Sequence, residues 1–186
     1  MAKKDNKNLE IIPPKNIFVG DQGAPVTLIE FGDYESDECA RAHKVVKKLL
    51  EHYKGKVRFN FRHFPLTQVH QRAHKAAEAA VAASQEGKFS EMHDLLFQHQ
   101  SRLGTISLKE YAREAGVTDK NFLPRLMDSA YGWTVRNDLL EGLDKGVRDV
   151  PTFFINDEMY TGKPTLEGLS KAIETALKQA RRKKAA

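Results

Sequence analysis

The alternation of apolar and polar positions predicts a strand, a helix and a second strand in the first third of the chain. Residues 26–31 (VTLIEF) are short, apolar and rich in β-branched side chains, which is typical of a buried strand. From about residue 37 to residue 53, apolar residues recur at helical spacing on one face, and Cys39 lies on this inward stripe near the helix start. Residues 56–62 (KVRFNFR) alternate polar and apolar side chains, as a half-buried strand does.

The rest of the chain predicts a helical block, two strands and a last helix. The pattern is helical over about residues 70–145, with breaks at glycines and at Pro124. Residues 150–156 (VPTFFIN) predict a strand that turns back through a tight hairpin, and residues 165–180 predict an amphipathic helix. Because a strand–helix–strand unit implies parallel pairing through a right-handed crossover, we expect one α/β domain with a helical insertion at about residues 66–147.

Both ends of the chain are predicted to lie outside this domain, which would span residues 16–180. Residues 1–15 end in two prolines and carry several charges, so we expect a flexible segment. Residues 181–186 form a basic tail, which we interpret as the solvated, frayed end of the last helix.

The net charge of +5 is concentrated at the two ends of the chain. The four basic residues 181–184 supply +4 and the first seven residues supply +2, which leaves −1 for residues 8–180. A nucleic-acid-binding protein should carry a basic face within its folded part, and none is visible here. We therefore expect no nucleic-acid partner.

The composition predicts a soluble protein. The mean hydropathy is −0.55, and no apolar run approaches the roughly 18 residues that a membrane helix needs, so we expect no membrane insertion. The start, MAKKDNKNLEIIPPK, has no apolar stretch behind its lysines and does not resemble a secretory signal. We expect a cytoplasmic location, and the single cysteine, which excludes an intramolecular disulfide, fits a reducing compartment.

The start of the first helix carries the candidate chemistry. Ser36 followed by Asp37 and Glu38 predicts a good helix N-terminus, with a cap worth about 1 kcal/mol. A helix N-terminus lowers the pKa of a thiol, whereas burial and nearby carboxylates raise it. Since Cys39 lies on the inward stripe among several acids, we expect the raising effects to dominate, and a purely structural role for Ser36 and Cys39 stays open.

The histidines are weaker candidates. His70 and His74 are four residues apart on a predicted helix, a spacing that can bind a metal, but no third ligand is evident. We therefore expect no metal site. His43 follows Cys39 by one helical turn and could tune its thiol.

Five segments of the sequence resemble one known family. They are APVTLIEFGDYESDEC, RHFPL, AHKAAEAAVAA, GKFSEMHDLLF and GVRDVPTFFIN. In this order, over about residues 19–180, they are similar to the DsbA-like family of the thioredoxin superfamily, and most of all to soluble DsbA-like domains, some of which are fused to sodium/proton antiporters. The resemblance implies a thioredoxin fold, with the helical insertion between an N-terminal βαβ half and a C-terminal ββα half.

The resemblance also assigns the candidate site. The family's usual motif is C-x-x-C, and here Ser36 stands where the attacking cysteine belongs, while Cys39 matches the resolving one. Glu30 matches a buried acid under the family's active site, Pro151 matches a cis-proline, and Val150 matches the residue whose backbone meets an extended peptide. The implied catalytic residues are Ser36, Cys39 and Glu30, and the implied substrate-binding residues are Val150, Pro151, Asp37 and Glu38.

The missing cysteine changes the expected chemistry. Disulfide exchange needs one thiolate to attack and a second thiol to resolve the mixed disulfide. A serine forms no stable bond to sulfur, and nothing in this chain would resolve a product of Cys39. The family implies a thiol-disulfide oxidoreductase, and we expect an atypical member without dithiol exchange.

Three active interpretations remain. Cys39 could work as a single thiol with glutathione, a protein or a peroxide. Ser36 could donate a hydrogen bond to a bound thiolate, as kappa-class glutathione transferases do with a serine at this position. The groove at Val150 and Pro151 could bind an extended segment without chemistry. The expected partner is a thiol- or disulfide-bearing polypeptide, or glutathione as a co-substrate, with no resident cofactor.

Overall fold

A four-stranded mixed sheet forms the centre of the molecule. The computed structural model describes the backbone of residues 10–185 and the side chains of residues 10–183. The strands are β1 (Val26–Gly32), β2 (Val57–His63), β3 (Thr152–Ile155) and β4 (Glu158–Tyr160). Their order is β2-β1-β3-β4, with β1 parallel to β2 and β3 antiparallel to both of its neighbours. The predicted parallel unit and the antiparallel edge are both confirmed.

Seven helices surround this sheet in the described part of the chain. They are α1 (Asp37–His52), α2 (Ala73–Ser84), α3 (Phe89–Gln98), α4 (Thr105–Glu114), α5 (Phe122–Met127), α6 (Gly132–Asp144) and α7 (Leu166–Ala185). Helices α2 to α6 form the predicted insertion between the two halves of the sheet. Their inner faces join the strands in a single apolar core that includes the alanine-rich α2.

Ordered structure extends beyond the predicted domain bounds of 16 and 180. Helix α7 continues to Ala185, so the basic residues after 180 belong to its last turns, as their interpretation as the end of the last helix implies. At the other end, residues 1–9 lie outside the described residues, but the rest of the segment predicted to be flexible packs on the domain. The backbone N–H of Ile12 donates to Gln85 Oε1 at 2.8 Å, and Pro14 is buried at the start of a short 3-10 helix.

Helix α6 lies across one end of the sheet and is held there by a buried ion pair. Arg62, on β2, donates through Nε to Asp138 Oδ1 at 2.6 Å, and the other carboxylate oxygen accepts the backbone N–H of His63 at 2.6 Å. Gly142 permits the close approach, because a Cβ there would lie 2.9 Å from both the Phe31 and Phe64 rings. This contact places α6 beside the end of β1, where the candidate site begins.

Among the helices of residues 10–185, none combines the length and the apolar character needed to cross a bilayer.

Candidate functional site

The turn after β1 and the first turn of α1 carry the S-x-x-C sequence. Ser36 is the N-cap of α1, and its Oγ accepts a hydrogen bond from the backbone N–H of Cys39 at 3.2 Å. The same hydroxyl lies 3.4 Å from Glu38 Oε2, to which it donates. The predicted cap is confirmed, and the hydroxyl uses its one donor and one of its two acceptor positions within the helix start.

The Cys39 thiol is buried in the core of the molecule. The residue is 0% exposed, and its Sγ accepts a hydrogen bond from the backbone N–H of Asp33 at 3.4 Å. Burial and then the charge of Glu30 raise the pKa of the thiol well above its ordinary value, against the lowering effect of its hydrogen bonds with Ser36 and Asp33. A thiol in this position is neither reachable nor ionised at neutral pH.

Glu30 is the buried acid that the resemblance implies. It lies in the middle of β1, between Phe61 on β2 and Phe153 on β3, and is 1% exposed. Its Oε1 has no hydrogen-bond partner among the described residues, and burial raises the pKa of its carboxyl well above the ordinary value. Burial therefore favours the neutral form of Glu30 beneath the S-x-x-C turn.

Asp33 connects this turn to the loop that follows β2. Its carboxylate accepts the backbone N–H of Glu35 at 2.7 Å and that of Leu66 at 2.8 Å, and it bonds His70 Nδ1 at 2.9 Å. Glu35 adds a second tie, because its Oε2 accepts the backbone N–H of Arg72 at 2.7 Å. These contacts tie the turn that holds Cys39 to the loop after β2.

The loop before β3 forms the other side of the site. Thr152, at the start of β3, pairs with Phe31 near the end of β1, so Val150 and Pro151 lie beside the S-x-x-C turn. The peptide bond between them is cis, and Pro151 is partly exposed. The Val150 N–H donates to Asp149 Oδ1 at 2.8 Å.

Asp37 and Glu38 give the site an acidic rim. Both side chains are exposed at the first turn of α1, where negative charge stabilises a helix. Glu38 forms an exposed ion pair with Arg41 at 2.6 Å, and hydrogen bonds from its own backbone and from Arg41 lower the pKa of its carboxyl.

Contrary to the sequence prediction, His70 and His74 do not lie on one helix. Helix α2 begins at Ala73, so His70 precedes the helix and is held by Asp33, while His74 lies beside Glu78. His43 Nε2 lies 3.0 Å from Asp94 Oδ1 on α3. No cluster of three metal-ligating side chains occurs within residues 10–185.

A buried group of aromatic rings and histidines supports the site from below. Tyr34 is 1% exposed, and its hydroxyl bonds His93 Nδ1 at 2.9 Å. His63 lies nearby, with ring centroids 6.0 Å from Tyr34 and 5.5 Å from Phe61. Burial, with the charge of Arg62 as a smaller cause, lowers the pKa of His63 to about 3, so its imidazole is neutral in the folded protein.

This neutral histidine predicts acid sensitivity. Because the pKa of His63 is about 3 in the folded chain and about 6.5 in an unfolded one, the unfolded state binds more protons between these values. Its contribution to stability is complete above about pH 6.5 and is lost, at about 1.4 kcal/mol per pH unit, as the pH falls. Denaturant unfolding at pH 6.5 and pH 5 should therefore show a shallower loss in His63→Leu than in the unchanged protein.

The control for this experiment is Phe61→Leu, which alters a buried ring in the same group without removing a titrating side chain. It should lower stability at both pH values and keep the original pH slope. Equal slopes in all three proteins would contradict a neutral, buried His63.

Comparison with known proteins agrees with this geometry. The family model described as Thioredoxin matches residues 13–175. Alpha-DsbA1 from Wolbachia pipientis has a TM-score of 0.73 at 23% identity, covering 89% of this chain and 92% of that one. This chain belongs to the DsbA-like family of the thioredoxin superfamily. Oxidised BdbD from Bacillus subtilis shares the DsbA-like fold with a TM-score of 0.80 at 22% identity, covering 89% of this chain and 93% of that one.

The curated relatives of this DsbA-like chain are larger proteins. Na(+)/H(+) antiporter NhaA 3 of Salinispora tropica is 38% identical over 169 residues, which are 91% of this chain and 26% of the antiporter. Na(+)/H(+) antiporter NhaA 1 of a Mycobacterium species is 33% identical over 164 residues. The chain spans about a quarter of the length of these relatives, which confirms the resemblance to DsbA-like domains fused to antiporters.

Proposed function

We propose that this protein is a DsbA-like family member that binds an extended thiol- or disulfide-bearing polypeptide at Val150 and Pro151 without exchanging disulfides. The observation that carries this proposal is the contrast between the two sides of the site. The one thiol, Cys39, is fully buried, whereas Pro151, which follows the buried Val150 in the loop beside the S-x-x-C turn, is partly exposed.

Covalent exchange is poorly supported by the geometry. An attacking sulfur must be ionised and must reach its target, and Cys39 has a raised pKa and no exposed surface. Ser36 occupies the position from which the family's attacking cysteine acts. The monothiol interpretation would require the start of α1 to open.

The glutathione interpretation also has weaker support. Donation of a hydrogen bond to a bound thiolate would require a free Ser36 hydroxyl, and this hydroxyl already donates to Glu38 and accepts from Cys39. Glutathione as a co-substrate stays a prediction without a structural feature in its favour.

Peptide binding can use groups that the fold leaves available. Pro151 has no N–H. The Val150 carbonyl accepts no hydrogen bond from a loop or turn N–H of the described residues. An extended segment can therefore donate a backbone N–H to this carbonyl, as in recognition by strand addition. Its own carbonyl would compete with Asp149 for the Val150 N–H.

The proposal predicts how three variants bind a labelled, reduced insulin B chain, measured by fluorescence anisotropy. Cys39→Ala should bind as tightly as the unchanged protein, because the thiol takes no part. Pro151→Ala should weaken binding by about tenfold, because it removes the ring that restricts the backbone beside the Val150 carbonyl and so weakens the hydrogen bond to that carbonyl. The control, Pro164→Ala, alters an exposed proline elsewhere and should change nothing. Absence of binding, or its loss in Cys39→Ala, would contradict the proposal.

A further inference from the structure

Helix α6 has an inner face that is buried in the domain and an outer face that none of the described elements covers. Val135, Asp138 and Gly142 are buried on the inner face. The outer face carries Trp133 and Leu140, which are 69% and 42% exposed. They are seven positions apart, about two helical turns, so they lie on one line along the helix.

The outer face carries a third exposed apolar side chain. Leu143, 37% exposed, follows Leu140 by three residues and lies beside that line on the same face, near the end of α6. Together Trp133, Leu140 and Leu143 form a stripe that spans about three helical turns. A grouped set of large exposed apolar side chains marks an interaction surface, in contrast to the single exposed residues found on every protein.

Two opposite charges lie on the same face as this stripe. Arg136 and Asp144 are both exposed, and neither forms an ion pair with a residue of the described chain. The Arg136 guanidinium lies 5.8 Å from the centroid of the Trp133 ring, so this side chain leans toward the start of the helix, as long helical side chains do.

We propose that the outer face of α6 is the interface of a homodimer, in which two copies of this helix pack antiparallel about a twofold axis. A twofold interface presents the same patch on both subunits, so each contact occurs twice. In one antiparallel register, Trp133 lies opposite Leu143 of the partner subunit. In the same register, Arg136 lies opposite Leu140 of the partner subunit.

The two charged side chains form an ion pair across the interface in this register. Arg136 leans toward the start of its own helix, which is the direction of the C-terminal end of the antiparallel partner. Its guanidinium therefore meets Asp144 of the partner subunit, over the face of Trp133, and the twofold axis repeats the pair. The cation, the anion and the apolar stripe thus all match a second copy of the same surface. An anionic membrane surface would attract Arg136 but repel Asp144.

Sedimentation equilibrium of the full chain over a concentration series tests this interface. The unchanged protein should show a monomer–dimer equilibrium. Arg136→Glu and Asp144→Arg should each weaken the dimer by about tenfold, because each places like charges in contact. The double variant restores an opposite pair in reversed order and should return the dissociation constant to within about threefold of the original.

The control variant is Lys109→Glu, which reverses an exposed charge on α4 and should leave the dimer unchanged. A chain that stays monomeric at every concentration would overturn the proposal, and so would a double variant no tighter than the two single ones. Binding of the monomer to anionic lipid vesicles, with no dimer formed, would assign the stripe to a membrane surface instead and would also overturn it.

Discussion

Asp138→Ala is expected to destabilise the protein by about 3–5 kcal/mol, because it leaves a buried guanidinium without its main partner. The side chains of Arg62 and Asp138 are 5% and 2% exposed, and two of the Arg62 nitrogens contact the carboxylate. Burial raises the pKa of Asp138 to about 6, so the carboxylate is ionised at pH 7.5. Such a loss is a large part of the roughly 5–15 kcal/mol that stabilises a typical domain.

Two further variants separate this explanation from simple loss of packing. Glu141→Ala removes the second, partly exposed partner of Arg62 and should cost about 1 kcal/mol or less. The double variant Arg62→Met with Asp138→Asn removes the charge and keeps an acceptor for the His63 N–H, so it should cost less than Asp138→Ala alone. Denaturant unfolding at pH 7.5 measures all three. A cost below about 1 kcal/mol for Asp138→Ala would contradict a buried, structurally required pair.

Ser36→Cys is expected to give the protein a disulfide-exchange activity, which the proposed function denies to the unchanged chain. The substitution places a thiol at the position of the family's attacking cysteine, three residues before Cys39 and at a helix N-terminus, where thiolates are stabilised. The neighbouring thiol can then resolve the mixed disulfide. Insulin reduction with dithiothreitol as electron donor should be catalysed by this variant and not by the unchanged protein.

Two controls isolate the contribution of the new thiol. Ser36→Ala loses the same helix cap, worth about 1 kcal/mol, and should remain inactive. Ser36→Cys combined with Cys39→Ala has an attacking thiol without a resolving one, and should stop at a mixed disulfide with its substrate. An inactive Ser36→Cys protein that is correctly folded would show that the acidic surroundings of the turn also prevent exchange.

The parts of the fold that depend on local sequence could be predicted. The β-branched run of β1, the helical stripe that buries Cys39 and the Ser36 cap all follow from neighbours within a few residues. The family resemblance then located Glu30 and Pro151, because both hold fixed places relative to those elements. These predictions agree with where the structure puts the residues, while their functional roles stay proposals.

Contacts between distant segments could not be predicted. Asp33 was visible only as one of several acids near the thiol, yet it holds His70 and Leu66 from a loop more than 30 residues away. Arg62 and Asp138 are 76 residues apart, and no periodic pattern indicates that they meet. The same limit explains the error at His70, since its contact with Asp33 lies in a loop that the apolar pattern assigned to a helix.

Alkylation of Cys39 in the native protein tests the central claim most directly. We expect no labelling by iodoacetamide at pH 8, and complete labelling of the same sample after unfolding in guanidinium chloride. That result would place the thiol in the core, as the structure does, and would leave binding as the function of the site. Rapid labelling of the native protein, with a midpoint below about pH 7, would show a reachable, activated thiolate and would contradict the account in favour of monothiol chemistry.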